Sequence, residues 1–260
     1  NFLEKTGLTI VKENENIDRF RGRVVFPIRS MSGRILGFGG RILGSSKNIA
    51  KYINSPESLI YQKSKVLYGI FESKQSIVKN DNCFLVEGYT DVIKMHQCGI
   101  SNVVASSGTA LTENQIRLIN RLTKNITVVF DGDAAGSRAA LRGIDLILEQ
   151  GMNVKICNLP EGDDPDSFVS NKNLEEVQSY LNKNSKDFIV YKASLLLDDS
   201  ENDPVKKAAV IRDMVESISK ISDYIKRELY IKECSSIMNI SEQVLYSTLA
   251  QIAKTVSYTH

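Results

Sequence analysis

The chain has 260 residues, 42% of them hydrophobic and 25% charged, which suits a packed core in one large domain or two modest ones and excludes bulk disorder. The net charge of +2 conceals an asymmetry: residues 1–80 carry 14 Lys and Arg against 6 Asp and Glu, residues 81–170 carry 7 against 12, and the rest are balanced. A basic front beside an acidic middle pairs a surface that draws polyanions with a pocket that holds cations, or else two ordinary solvated faces. Two histidines and four scattered cysteines without a Cys-x-x-Cys pair leave little material for a zinc site or a Ser-His-Asp hydrolase. No apolar run approaches the roughly 20 residues of a membrane span, and no signal segment opens the chain, so a reduced cytoplasmic protein is expected. A start at Asn1 rather than Met reads as a piece of something longer.

In chain order, residues 23–28 and 34–43 read as short strands around a turn at Met31 to Gly33, bounded by Pro, Ser and Gly. The Gly37 to Gly40 run is expected as a strand bend rather than a phosphate loop, because it neither follows a long buried strand nor opens a helix. Residues 1–80 are therefore expected as a basic α+β subdomain. From Cys83 the rhythm changes. Apolar runs at 83–86, 102–105, 126–130 and 153–157 alternate with helical patterns near 90–98, 113–123 and 134–150, which predicts a parallel sheet with right-handed crossovers over residues 81–170. Thr112 with Gln115 fits a capping box, and Gly151 falls where the third helix should end.

Residues 171–260 are expected as a helical bundle, with Asp203-Pro204 and Ser241 as helix starts. Ala209, Ile211, Val215 and Ile218, then Tyr224, Ile225, Leu229 and Tyr230, are its predicted core. The fold class is thus α/β, a Rossmann-like parallel sheet flanked by an α+β subdomain and a helical bundle.

Acidic residues stand just past the predicted strands: Glu87 in Glu-Gly-Tyr-Thr-Asp-Val, Asp131 and Asp133 in Asp-Gly-Asp-Ala-Ala-Gly, Asp164 and Asp166 in Asp-Asp-Pro-Asp. In an open parallel sheet such positions converge in one crevice. Clustered carboxylates repel unless protons or divalent cations offset the charge, and hard cations such as Mg²⁺ take oxygen ligands together with substrate phosphates. Asp91 either joins this crevice or caps its helix, and Asp164-Pro165-Asp166 taken alone is an ordinary helix start. Three acidic ends on one sheet favour a shared cation over separate accidents.

At these residues the sequence resembles the TOPRIM domain of DnaG-type primases, type IA and type II topoisomerases and related nucleases. Within that superfamily it is most similar to the catalytic RNA polymerase core of bacterial DnaG primases. The likeness extends to Asp18-Arg19-Phe20-Arg21-Gly22-Arg23-Val24, Phe26-Pro27-Ile28-Arg29, Gly37-Phe38-Gly39-Gly40-Arg41, Lys51-Tyr52-Ile53-Asn54-Ser55-Pro56-Glu57 and Leu67-Tyr68-Gly69, and covers residues 1–170. That family's zinc module and helicase-binding domain are expected to lie outside this chain, and residues 255–260 match nothing familiar.

The resemblance implies a nucleotidyltransferase that makes short RNA primers on single-stranded DNA from ribonucleoside triphosphates with Mg²⁺ or Mn²⁺. Its implied partners are the template strand and a replicative helicase, with no membrane. Glu87, Asp131 and Asp133 are the implied catalytic and primary metal-binding set, and Asp164, Asp166 and Asp91 the secondary one, with an acid/base role for Glu87 as the alternative. Arg19, Arg21, Arg41, Lys51, Asn54, Ser55 and Lys63 are the implied substrate-binding residues. For Tyr52, Tyr61 and Tyr68, core packing is preferred to base stacking. A TOPRIM nuclease and a non-catalytic nucleic-acid-binding module are the competing readings.

Overall fold

The computed structural model describes residues 2–13, 15–44, 50–108, 110–132, 134–197 and 203–258. Helix α1 (Phe2–Lys5) leads into an antiparallel ribbon of β1 (Thr9–Lys12) and β2 (Glu15–Asp18). A three-stranded antiparallel sheet follows, β3 (Arg23–Arg29), β4 (Ile35–Ile42) and β5 (Tyr52–Asn54), with β4 in the centre. The glycine run in β4 is paired with β3 along its length, and the one register shift falls at Ile28/Arg29. Its glycines make room for rings rather than for a bend. A Cβ on Gly37 would lie 2.9 Å from the Tyr61 ring, on Gly39 2.4 Å from Cζ of Tyr89, and on Gly40 2.5 Å from Cδ1 of Phe20.

A short 3-10 turn at Lys63–Lys65 precedes α2 (Ile70–Asn80), β6 (Cys83–Val86), α3 (Tyr89–Gln97), β7 (Val103–Ala105), α4 (Glu113–Asn120), β8 (Asn125–Phe130), α5 (Ala134–Glu149) and β9 (Asn153–Asn158). The four strands are parallel in the order β7-β6-β8-β9, as the alternating apolar runs predict. Sidedness follows the two-residue period of a strand. Leu85, Val104, Ile126, Val128, Val154 and Ile156 enter one core with α4 and α5, while Val86, Val103, Ala105, Val129 and Cys157 enter the other with α3. The predicted Thr112–Gln115 capping box closes α4, with Gln115 N–H on Thr112 Oγ1 at 3.3 Å and Thr112 N–H on Gln115 Oε1 at 3.0 Å.

Helices α6 (Pro165–Ser170) and α7 (Leu174–Asn184) complete the second core, and β10 (Lys186–Asp187) adds an antiparallel edge to β9. The bundle of α8 (Phe188–Leu197), α9 (Pro204–Ser219), α10 (Tyr224–Met238) and α11 (Glu242–Tyr258) then extends the first core. Asp203 caps α9 by accepting the N–H groups of Val205 and Lys206. Ile211, Val215 and Ile218 are buried as predicted, whereas Ala209 is exposed and Tyr224, Ile225 and Leu229 are 66%, 71% and 63% exposed. The inward stripe of α10 is instead Ile231, Cys234 and Met238, spaced at i, i+3 and i+7, and the apolar residues of its amino-terminal half face solvent. Among the described residues no helix is long and apolar enough to cross a membrane, and the four cysteines are free.

At the carboxyl edge of the sheet two backbone segments cross closely. The Gly132 N–H donates to the Asp163 carbonyl at 2.9 Å, and a Cβ on Gly132 would stand 2.0 Å from the carbonyl oxygen of Pro160. The obstacle is backbone, which cannot swing aside. Gly132→Ala should lower stability by about 2–3 kcal/mol, the upper part of the range for overpacking, measured as a shifted urea midpoint at unchanged slope.

Candidate active site

The chain leaves β6 for β7 on one side and returns to β8 on the other, so the topological switch point lies between β6 and β8, where open parallel sheets place their crevice. Glu87 follows the last residue of β6 and Asp131 the last residue of β8. Neighbouring strands run about 4.8 Å apart, so the two acidic residues leave adjacent strand ends. Glu87 is exposed and Asp131 half-buried. Asp133 lies outside the described residues.

The loop after β9 folds back onto this edge through the Gly132–Asp163 bond and through Leu159 N–H on the Phe130 carbonyl at 3.0 Å. It delivers the amino end of α6 to α3. Asp164 is the N-cap of α6, its Oδ1 accepting the Ser167 N–H at 2.7 Å, and Asp166 stands 3.8 Å from Lys94 Nζ. Asp91 is buried at 7% exposure, and its Oδ2 accepts the Gly88 N–H at 2.7 Å, so it caps α3. Of the two readings, the bond bears out the cap. Burial pushes the Asp91 carboxyl up, the Gly88 bond opposes it, and the charges of Asp164, Asp166 and Glu87 push it further, to about 6. Carboxylates from three separate elements thus share one field.

The residue after Gly88 fixes the turn that carries Glu87. Tyr89 stacks on Phe26 with centroids 5.1 Å apart and meets Tyr68 edge-on at 4.7 Å, filling the space that Gly39 leaves. Burial pushes its phenol up to about 12, so it stays a donor, and Tyr89 Oη donates to Asn54 Oδ1 at 2.7 Å. Asn54 Nδ2 donates in turn to the Ser107 carbonyl at 3.2 Å, and the Ser107 N–H donates to the Glu87 carbonyl at 3.0 Å. Ser107 holds a left-handed φ of 58°, unusual for a residue with a side chain. The clamp ties β5, the end of β7 and the Glu87 turn together. Tyr89 and Ser107 were not singled out from sequence. Their signals were there: Tyr89 sits inside the Glu-Gly-Tyr-Thr-Asp motif, and Ser106-Ser107-Gly108 is the small polar run past a third strand of the same sheet.

The basic residues fall into two groups. Arg41 and Lys51 flank the Tyr52 ring, with their charged groups 5.8 and 5.9 Å from its centroid. Tyr52 Oη bonds Thr90 Oγ1 at 3.3 Å, which sets this cationic pair beside the Glu87 turn. Arg21 is exposed, while Arg19 and Lys63 are half-buried, and Arg19 Nε and Arg41 Nε are buried without a hydrogen-bond partner among the described residues. Ser55 is 2% exposed and its hydroxyl accepts the Phe38 N–H at 2.9 Å. Asn54 and Ser55 therefore spend their side chains inside the protein, on the clamp and on β4. Tyr61 is buried at 2% exposure.

The donors present suit a divalent cation: they are carboxylate oxygens, and the field on Asp91 is the repulsion such a cation relieves. Among the described residues no group of three His, Cys, Asp or Glu side chains converges closely enough to hold an ion by itself. Substrate phosphates complete such sites in hard-cation enzymes.

A family model described as DNA primase catalytic core, N-terminal domain, matches residues 1–74, a Toprim-like model matches 84–169, and a model for the DnaB-helicase binding domain of primase matches 202–243. The last match lies inside the chain, which corrects the expectation that any helicase-binding segment falls outside it. The DNA primase of Clostridium acetobutylicum is 40% identical over 250 residues, covering 95% of this chain and 41% of that protein. The chain thus spans about two fifths of the curated relatives it matches. The crystal structure of a DNA primase domain from Pseudomonas aeruginosa superposes with a TM-score of 0.85 at 34% identity, covering 95% of this chain and 78% of that one. A DnaG primase catalytic domain bound to single-stranded DNA gives 0.83 at 32% identity, covering 93% and 76%. With three primase models matched along the chain, a shared fold and identity sustained across nearly its whole length, this protein belongs to the DnaG-type DNA primase catalytic core family.

Proposed function

We propose that this chain is the RNA polymerase core of a cytoplasmic DNA primase, joining ribonucleoside triphosphates into a short RNA on single-stranded DNA. The observation that carries this reading is the acidic edge at β6 and β8 set beside the Arg41–Tyr52–Lys51 group. A cation pocket next to a cationic ledge is what a polymerase needs to hold metal-bound triphosphate and a polyanionic template together. We divide the labour among residues 1–80, which bind substrate phosphates, 81–170, which hold the metal, and 171–260, which brace the sheet and offer 202–243 to a replicative helicase.

Glu87, Asp131 and Asp133 are the primary ligands in this reading, with Asp91, Asp164 and Asp166 as the outer acidic set. A divalent cation held by these carboxylates would supply the charge that lowers the pKa of the primer 3′-hydroxyl and offsets that of the departing pyrophosphate. Glu87 is exposed where Asp131 is half-buried, and in this reading its carboxylate is the one that faces the attacking hydroxyl. The clamp of Tyr89, Asn54 and Ser107 keeps its turn in place between turnovers. Arg21, Arg41, Lys51, Arg19 and Lys63 neutralise triphosphate and template phosphates.

Labelled ribonucleotide incorporation on single-stranded DNA with Mg²⁺ or Mn²⁺ tests the reading. Asp131→Ala and Glu87→Ala should each lower the rate on the order of 100-fold or more, the loss of several kcal/mol of electrostatic stabilisation. Cation-dependent cleavage of the DNA without incorporation would overturn it in favour of a TOPRIM nuclease. Titrating single-stranded DNA binding against salt gives a second check: Arg21→Ala or Lys51→Ala should each reduce the log-log slope by about 0.7, the value for one phosphate contact on a single strand.

A pH prediction follows from Asp91. Its folded pKa is raised, to about 6 from 3.8, so its contribution to stability is fully present below the lower value and lost as pH rises through the upper one. Between pH 4 and 7 the parent should therefore lose on the order of 2–3 kcal/mol that Asp91→Asn does not lose, read from urea unfolding of the two proteins side by side.

A further inference from the structure

A buried cation joins the helix that follows Asp131 to the bundle. Lys192 on α8 is 2% exposed, in a helix whose sequence Phe-Ile-Val-Tyr-Lys-Ala-Ser-Leu-Leu-Leu is otherwise almost wholly apolar. Its Nζ donates to Asp213 Oδ2 at 2.8 Å, to the Asp213 carbonyl at 3.1 Å and to Ser217 Oγ at 2.5 Å, which satisfies all three ammonium donors. The Ser217 hydroxyl, itself fully buried, passes its proton donation on to Asp145 Oδ1 at 2.5 Å. Asp145 belongs to α5, and one turn further on Glu149 Oε1 meets Lys220 Nζ at 2.9 Å. Lys192 and Asp213 thus reach the metal-site helix through a single shared hydroxyl.

Stability alone gives no reason for this arrangement. Lys192 is buried while Asp213 is 48% exposed, and taking a lysine ammonium out of water gains little over a well-packed apolar side chain of the same volume, because desolvation offsets the attraction of its partner. Direction is what it adds. Apolar contacts let a helix roll or slide by a fraction of a turn, whereas hydrogen bonds weaken steeply off axis. Helix α5 begins at Ala134, immediately beyond the Asp131 turn, and Asp145 lies about 16 Å along its axis from that start at about 1.5 Å per residue. Fixing the far half of a stiff helix fixes the angle at which its near end meets the sheet.

We propose that Lys192, Ser217 and Asp145 are positioning residues for the cation site, a buried relay from α8 and α9 that sets the pose of α5 and so the aim of the acidic turn preceding it. The inference rests on the primase reading above. It predicts that a defect in the relay weakens the response to metal while leaving nucleotide affinity alone, which a general loss of stability would not do.

The test uses Ser217→Ala, Lys192→Met, and the pair Asp145→Leu and Asp145→Asn, the last of which keeps an acceptor for Ser217. Two quantities are read on each folded protein: the Mg²⁺ concentration for half-maximal ribonucleotide incorporation, with KM for the triphosphate taken at saturating Mg²⁺, and the rise in Tm that Mg²⁺ produces without nucleotide. Ser217→Ala, Lys192→Met and Asp145→Leu should each need five- to tenfold more Mg²⁺, show a correspondingly smaller Tm rise and keep KM within twofold. Asp145→Asn should recover most of what Asp145→Leu loses. If Lys192→Met does not fold, Ser217→Ala decides. Folded Ser217→Ala with the parental Mg²⁺ requirement and Tm response overturns the relay alone. A parent chain that neither incorporates nucleotide nor responds to Mg²⁺ overturns the functional reading itself, and the relay with it.

Discussion

Mutual repulsion among carboxylates is the constraint around which this molecule is organised. Glu87, Asp91, Asp164 and Asp166 come from a strand end and two helix starts, and their field helps to hold the Asp91 carboxyl near 6. Left to itself such a cluster would spread, because every acid gains by moving toward water. Backbone N–H groups counter this. Gly88 donates to Asp91 and Ser167 to Asp164, so the charges sit on the positive ends of α3 and α6 and are anchored at the cost of two donors that helices leave unpaired in any case. A site assembled from helix caps keeps its charge in place before any cation arrives.

The second requirement is that the front sheet stay seated on the parallel one, since it carries the opposite charge. That contact is aromatic at its centre. Phe26, Tyr68 and Tyr89 meet face to edge and face to face, and Gly39 exists so that the Tyr89 ring can approach the backbone of β4. Around the rings lie directional bonds, Tyr89 to Asn54, Asn54 to Ser107, Tyr52 to Thr90. Burial supplies affinity between the two sheets without fixing their register, and the hydrogen bonds supply register. Both kinds of contact end on residues 87–90, so docking the front sheet and fixing the acidic turn are one event.

Much of this was legible in the residues. Four apolar runs separated by amphipathic segments leave few topologies, and once the sheet is parallel the acids past its strands must gather at one edge. Helix ends were equally plain wherever a cap announced them, as at Thr112, Asp164 and Asp203. What was not legible depends on partners far away in sequence. Asn54 and Ser55 sit in a motif whose family resemblance implies substrate binding, yet their bonds go to Tyr89, Ser107 and Phe38, 35, 53 and 17 residues off, and no local pattern reports such pairings. The outward turn of α10 escaped for another reason: Tyr224, Ile225 and Leu229 repeat as helically as a core stripe does, and only the packing of its neighbours decides which stripe faces in.

Lys192 shows where the two kinds of information meet. A lysine in the middle of an apolar helix is locally inconsistent, and lysine is almost never fully buried unless paired. The sequence therefore marks the position without saying what it is for. The fold supplies the partners, Asp213 and Ser217, and Ser217 extends the contact to Asp145 on the helix behind the acidic turn. A segment built only of leucine and isoleucine would bind the bundle to the sheet as firmly and leave α5 free to settle at several nearby angles. Metal chemistry tolerates little of that freedom, because ligand oxygens displaced by 1 Å no longer reach the same ion. Directional contacts at the far end of α5 answer a geometric demand at its near end, and that demand is set by the carboxylates whose repulsion the site must contain.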